Sequence, residues 1–313
     1  MTAAFDIVLP MFALMLCGYG AARSRLFGAD AVKGIANFVF FFAIPALLFR
    51  GISRAAVAGD AEFAIVFAYF AGCLLLFAAS MAVGRLAFGL ALREQAVMGF
   101  TATFSNTVLL GIPLIYAAFG EAGLLPVTLI TSFHSIILLT LATLIIELGA
   151  GAGRHLLRAV PQMLAALLRN PLLLAILAGF IARGFGWQMP AVLDRATSLF
   201  AAAAAPCSLF ALGATLAGFR ISGDPAQSAV LVIAKMVVHP LIVWALATQI
   251  FALSPIQVAV ATILAALPSG ANAFILAERY GVYVERTATA ILVTTALSIV
   301  TAALLVAHYA PPR

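Results

Sequence analysis

Apolar residues along this chain come in unbroken runs of about twenty, separated by short clusters that hold most of the charges. The strict apolar/polar alternation of a membrane β-barrel strand does not occur in these runs. As a helix, a run of about twenty covers the roughly 30 Å of hydrocarbon in a bilayer, and a helix satisfies every backbone group within one segment. The pattern predicts ten spans, at residues 3–22, 31–50, 62–84, 95–117, 123–149, 170–186, 195–218, 228–250, 256–277 and 286–309. The sixth is short and opens on Asn170-Pro171, which suits a first helical turn. Between the fifth and sixth, residues 150–169 mix Arg154, His155, Arg158 and Arg169 with Leu and Met. That mixture predicts a basic amphipathic linker lying on the membrane surface.

Composition agrees with the pattern. Hydrophobic residues make up 65% of the 313 and charged residues 9%, against about 25% charged in a typical soluble domain. The mean hydropathy is +1.17, so most of the surface faces lipid. A net charge of +6 would suggest nucleic acid in a soluble protein; here the basic residues sit in short loops and read as membrane topology. The loops after the odd-numbered spans carry Arg23, Arg25, Lys33, Arg85, Arg93, Arg154, Arg158, Arg169, Arg220, Arg279 and Arg286. Those after the even-numbered spans, with the C-terminus, carry Arg50, Arg54, Arg183, Arg195 and Arg313. The heavier load marks the cytoplasmic side, which puts both termini in the periplasm and the linker in the cytoplasm of an inner-membrane protein. The first apolar run lacks Lys and Arg before it and contains Asp6, so it reads as a retained helix and not as a signal peptide. Cys17, Cys73 and Cys207 fall in apolar runs without metal spacing and read as buried small hydrophobes.

Five spans, a linker and five more spans suggest duplication into residues 1–149 and 170–313. Pro45, Leu48 and Phe49 in the second span have counterparts in Pro206, Leu209 and Phe210 in the seventh. Asn106 in the fourth span has a counterpart in Asn272 in the ninth. Five being odd, the second half enters the membrane from the opposite side, the inverted arrangement of many secondary transporters. The fourth and ninth spans are also the ones that break. One holds Asn106-Thr107 and then Gly111-Ile112-Pro113; the other holds Pro268-Ser269-Gly270-Ala271-Asn272. Pro removes a backbone donor and Gly loosens the helix, so backbone groups are freed at mid-membrane. Half-helix N-termini there present positive dipole ends to an anion, and the two Asn amides can donate to a carboxylate. Either break alone also fits a simple kink, with Asn bridging helices.

Other polar residues lie within the spans. Lys235 is a charge at depth, able to attract a carboxylate or to snorkel to the headgroups. His239 follows one turn later and could donate a hydrogen bond or carry a proton. His134 and Ser135 could face the fourth span, and Glu147 closes the fifth. Glu278, Arg279, Glu285 and Arg286 alternate in sign and read as a salt-bridged turn. No Asp or Glu flanks either break, so coupling to Na⁺, coupling to H⁺ and uniport all stay open. No phosphate-binding loop, metal cluster or catalytic constellation occurs, which argues against an enzyme or a nucleotide-driven pump.

With these residues in place the chain resembles the auxin efflux carrier family, and within it the bacterial malonate-transporter-like members. The likeness rests on Phe38 through Phe49 with Pro45, on Ser105-Asn106 followed by Gly111-Ile112-Pro113, and on Pro268 through Asn272 before Ala277-Glu278-Arg279-Tyr280-Gly281. It implies an all-α inverted-repeat fold whose fourth and ninth spans cross where they break. It implies a scaffold of spans 1, 2, 6 and 7, through which a homodimer forms, and a moving unit of spans 3–5 and 8–10. The expected activity is secondary transport of a small organic anion, malonate or a similar carboxylate, by alternating access in a lipid bilayer. The expected substrate-binding residues are Asn106, Thr107, Gly111, Pro113, Pro268, Ser269, Gly270, Asn272 and Lys235, with His239, His134 and Glu147 for coupling or gating. No cofactor, metal or nucleic acid is expected. A channel or exporter for another small solute, and a membrane receptor or scaffold without transport, are the alternatives; saturation and measurable flux separate them from a carrier.

Overall fold

The computed structural model describes residues 2–54, 63–150 and 169–310. They form helices α1 (Thr2–Arg23), α2 (Ala29–Arg54), α3 (Ala64–Phe88), α4 (Leu92–Thr103), α5 (Ile112–Phe119) and α6 (Leu124–Gly149). The second half holds α7 (Pro171–Gly184), α8 (Ala191–Leu216), α9 (Pro225–Ile250), α10 (Pro255–Ala266), α11 (Ala271–Tyr280) and α12 (Val284–Tyr309). Among the described residues seven helical stretches are long and apolar enough to cross a membrane. One of them, Thr107–Gly149, turns at Gly120, whose φ of 61° needs a residue without a Cβ. This is an all-α polytopic membrane fold, and among the described residues its only β pairing is one isolated bridge. The linker predicted over 150–169 lies, apart from its two end residues, outside the described residues.

Lipid explains the outer surface. Leu16, Leu86, Val192 and Leu199 are each at least two-thirds exposed, a pattern that would be costly in water. Helix association in lipid depends on close packing instead, and small residues permit it. α1 lies along α8. A Cβ on Gly18 would come 2.0 Å from the carbonyl oxygen of Phe210, and one on Gly213 would come 1.8 Å from that of Met15. α2 packs on both α7 and α8. The Arg50 guanidinium fastens α2 to α8, donating to the Asp194 carboxylate at 2.7 Å, to the Asp194 carbonyl oxygen, and to the Thr197 hydroxyl at 3.0 Å. Arg54 donates to the same carboxylate. Of the remaining helices, α3 lies against α4 and α9, α4 against α6, and α12 against α9, α10 and α11 as well as α1, while α5 meets α1, α8 and α6.

Three helices widen into a π-helical turn at the same distance ahead of a proline. These are Val39–Ala43 before Pro45, Thr107–Gly111 before Pro113, and Ala234–Val238 before Pro240. Proline lacks the N–H that would bond four residues back and its ring pushes that carbonyl away. The i→i+5 turn absorbs the clash without breaking the helix, and such turns are frequent at functional sites.

Two expectations from the sequence fail. Only Cys73 of the three cysteines is buried, and it makes a polar contact; Cys17 is exposed and Cys207 half-buried. The alternating charges after α11 do not form a salt-bridged turn, since the ion pairs among the described residues are those of Asp194. Arg279 lies over the ring of Tyr280 and Arg286 over that of Tyr283, so aromatic faces take the place of carboxylates.

Candidate functional site

α4 ends at Thr103 and α10 at Ala266, and the chain after each is extended. The two extended stretches meet antiparallel at Ser105 and Ser269. The Asn106 N–H donates to the Pro268 carbonyl at 3.0 Å, and the Gly270 N–H donates to the Phe104 carbonyl at 2.8 Å. Each break therefore satisfies backbone groups that the other leaves free, which a low-dielectric interior requires. Gly270 permits the approach, because a Cβ there would lie 2.8 Å from the Phe104 ring. Neighbours complete the pairing. The Ser269 hydroxyl donates to the Thr101 carbonyl at 2.8 Å, the Ser269 N–H to the Thr294 hydroxyl at 3.1 Å, and the Ser105 N–H to His134 Nε2 at 3.4 Å.

Behind the crossing sits Lys235, fully buried in the π turn of α9. Its Nζ lies 2.6 Å from Ser105 Oγ, 2.7 Å from the Ala265 carbonyl oxygen and 2.9 Å from His239 Nδ1. Three acceptors match the three donors of an ammonium group. The Ala265 carbonyl belongs to the last turn of α10, where carbonyls lack helical partners and the dipole is negative. The polar chain continues on either side: Cys73 Sγ lies 3.3 Å from His239 Nε2, and the Tyr69 hydroxyl donates to Ser105 Oγ at 3.3 Å.

In front of the crossing lies a cavity of about 450 Å³. Phe104 through Leu109 and Gly270 through Asn272 supply one wall. Asn37 and Phe40 of α2, Thr131 and Ser135 of α6, and Asn170 with Leu172 at the start of α7 supply the rest. Four side-chain amides thus face one space, with hydroxyls of Ser and Thr between them, and among the described residues no charged side chain lines it. Asn272 is exposed to this space, whereas Asn106 is mostly covered. The π turn Thr107–Gly111 and α11 both begin here without a side-chain cap, the Thr107 N–H donating to the Ser105 carbonyl at 2.8 Å and the Ala273 N–H to that of Gly270 at 2.9 Å.

The residues singled out in the sequence divide between these layers. Asn106, Thr107, Gly270 and Asn272 line the cavity. Pro268 and Ser269 hold the crossing together. Gly111 and Pro113 are buried, and a Cβ on Gly111 would meet Leu264 and Leu267 at 2.8 and 2.9 Å, so both serve packing. Lys235 neither lines the cavity nor reaches the membrane surface. His239 and His134 join the buried polar chain. Glu147 lies apart and accepts a hydrogen bond from the Tyr280 hydroxyl at 2.8 Å. Asn37, Tyr69, Thr101 and Thr294 were not singled out. Asn37 is a lone amide in an apolar run, the same signal that marks Asn106 and Asn272; the hydroxyls carry none, because membrane helices use Ser and Thr everywhere. Among the described residues no group of three or more His, Cys, Asp or Glu comes together to hold a metal.

The family described as Membrane transport protein matches residues 3–306. The chain is 31% identical over 295 residues to a protein of Rhizobium meliloti (strain 1021) described as a putative malonate transporter, covering 94% of this chain and 92% of that one. It is 26% identical over 314 residues to the uncharacterized transporter YfdV of Escherichia coli (strain K12), covering 95% and 94%. Over 171 residues it is 30% identical to auxin efflux carrier component 3 of Arabidopsis thaliana, covering 51% of this chain and 25% of the plant protein.

Proposed function

The chain belongs to the membrane transport protein family and so carries a small solute across a membrane without catalysing a reaction, and from that premise we propose that the solute is a small carboxylate, moved by alternating access through the cavity at the crossed breaks. The observation that carries this reading is the meeting of four amides and two uncapped half-helix N-termini in one space of about 450 Å³. Amide N–H donors and positive dipole ends suit a carboxylate. The likeness to the putative malonate transporter favours a dicarboxylate as the first substrate to try.

In this reading ten spans form two inverted sets of five, 1–149 and 170–313, with α4–α5 and α10–α11 as the broken fourth and ninth spans. α1, α2, α7 and α8 form the scaffold, and a homodimer forms through it; the other helices move against it. Their packing supports the division, because α2 meets the cavity while its main partners are α7 and α8. Both termini lie in the periplasm. A coupling ion is not part of the proposal.

Asn272→Ala, assayed as carboxylate uptake into vesicles reconstituted with the purified protein, tests it. Asn272 is exposed to the cavity, so its loss leaves the fold intact. A hydrogen bond to a charged group contributes about 1.5–3 kcal/mol, so KM rises about 10- to 100-fold while the melting temperature stays put. Unchanged KM would remove Asn272 from the site. A flux that fails to saturate would favour a channel, and no flux of any solute would favour a receptor.

A further inference from the structure

A second cavity, of about 480 Å³, opens where α1 ends and α2 begins. Arg23, Arg25 and Lys33 line it together with the last turn of α8, and among the described residues no acidic side chain does. All three cations are exposed, and none is ion-paired among the described residues. Asp30, the nearest acid in sequence, sits on the first turn of α2 but does not line the cavity. Arg25 is held at a φ of 62°, a left-handed conformation that costs a residue with a Cβ about 1–2 kcal/mol. Phe27, two residues on, fixes the turn by setting its ring edge-on against Phe210 of α8, with centroids 5.2 Å apart.

This basic cavity and the amide-lined one share Ala36. The residues of α2 that face them, Ala29, Val32, Lys33 and Ala36, then Ala36, Asn37 and Phe40, follow helical spacing and form a single stripe. From Ala29 to Phe40 that stripe descends about 16 Å at 1.5 Å per residue. One helix face thus runs from three unpaired cations at the membrane surface to an uncharged amide pocket within. Lys235, which bonds Ser105 on the pocket wall, is enclosed and already holds three acceptors.

The geometry points to a division of labour: Arg23, Arg25 and Lys33 form an anion-collecting antechamber that selects substrate by charge and feeds it along α2, and the amide pocket selects by shape and hydrogen bonding. The inference rests on the reading that the pocket binds a small carboxylate. Cations at the mouth of a low-dielectric cleft focus the field and raise local anion concentration, which speeds capture by about 10- to 1,000-fold. They act on capture and not on the conformational step, so their effect falls on kcat/KM and leaves kcat alone.

The test is carboxylate uptake into vesicles of phosphatidylcholine alone and of phosphatidylcholine with phosphatidylglycerol, by the wild-type protein and by the triple variant Arg23→Gln, Arg25→Gln, Lys33→Gln. The triple variant is expected to lose about 10- to 100-fold in kcat/KM at roughly 0.01 M salt, with kcat within about twofold. The gap should close toward 1 M salt, where the Debye length falls from about 30 Å to 3 Å. Arg85→Gln, which removes a cation outside the cavity, should behave as wild type, and Lys33→Arg should keep the salt dependence. Unchanged kcat/KM and salt slope in the triple variant overturn the antechamber. So does a defect confined to vesicles containing anionic lipid, which would assign the three cations to headgroups. In either case, saturable uptake by the wild type leaves the carboxylate reading standing; a wild type that takes up no carboxylate removes that reading instead.

Discussion

Lys235→Met is expected to abolish uptake, by at least about a hundredfold, and to lower the melting temperature as well. The side chain is fully buried, and its three acceptors come from three places: the first break at Ser105, the end of α10 at Ala265, and His239 one turn along α9. Methionine keeps most of the volume and none of the donors. The Ala265 carbonyl then loses the partner that the end of α10 requires, and each buried polar group left unsatisfied costs about 1–3 kcal/mol. The crossing that sets the half-helix amides toward the cavity depends on that anchor. Arg is not expected to rescue, because a planar guanidinium does not reproduce three directions from one nitrogen. Uptake and a thermal melt of the purified protein, measured together, check the result. Full uptake by Lys235→Met would show that the crossing holds without it.

The contrast with Asn272→Ala separates two kinds of defect. Asn272 touches the cavity, so its loss weakens binding in a protein of normal stability. Lys235 touches the crossing, so its loss weakens the structure that forms the cavity. A buried cation one layer behind an uncharged pocket also bears on how an anion is chosen. In the proposed function the pocket would attract an anion by dipoles, while the formal charges of Arg23, Arg25 and Lys33 line the neighbouring cavity beside α1 and α2.

The apolar helices were legible because twenty apolar residues admit few other structures in a bilayer, but Pro alone does not mark a break, since α1 runs through Pro10 and α8 through Pro206. Pro268 lies in one of the two crossing stretches, whereas Pro113 stands in the first turn of the helix that follows the other. What Pro does at each place was not legible. Pro45, Pro113 and Pro240 each follow a π turn that keeps its helix continuous, whereas Pro268 lies in the extended stretch after α10, next to the isolated bridge. The difference depends on what neighbouring elements offer the freed carbonyls, and that is tertiary information. Lys235 was visible as a charge at depth, but its direction was not. One residue in an apolar helix carries no record of whether a helix end, far off in sequence, supplies its acceptors. Glu278 and Arg286 misled for the same reason: alternating sign along the chain does not fix where side chains meet in space, and the rings of Tyr280 and Tyr283 compete for the arginines.

Gly213→Val is expected to cost the fold about 3 kcal/mol, at the upper end of overpacking, and roughly 10 °C of melting temperature. α1 and α8 touch backbone to backbone at two levels, Met15 against Gly213 and Gly18 against Phe210. A Cβ on Gly213 would lie 1.8 Å from the Met15 carbonyl oxygen and 2.6 Å from its carbon. Those atoms are main chain in the middle of a helix, so no rotamer change relieves the clash and the helices must separate. In lipid no hydrophobic force draws them back, because the tails are as apolar as the side chains; the close packing itself is the attraction. Gly20→Ala on the same helix is the control, since a Cβ there meets nothing within 4 Å and alanine favours helix. A melt of Gly213→Val within a degree of wild type would show that α1 and α8 do not rely on this contact. The damage should reach function as well as stability. Ala214 and Thr215, next along α8, wall the basic cavity opposite Arg23 and Arg25. Forcing α8 away from α1 widens that space and moves Arg23 and Arg25 from the α2 stripe, so the protein that still folds should take up carboxylate with a lower kcat/KM and a weaker dependence on salt.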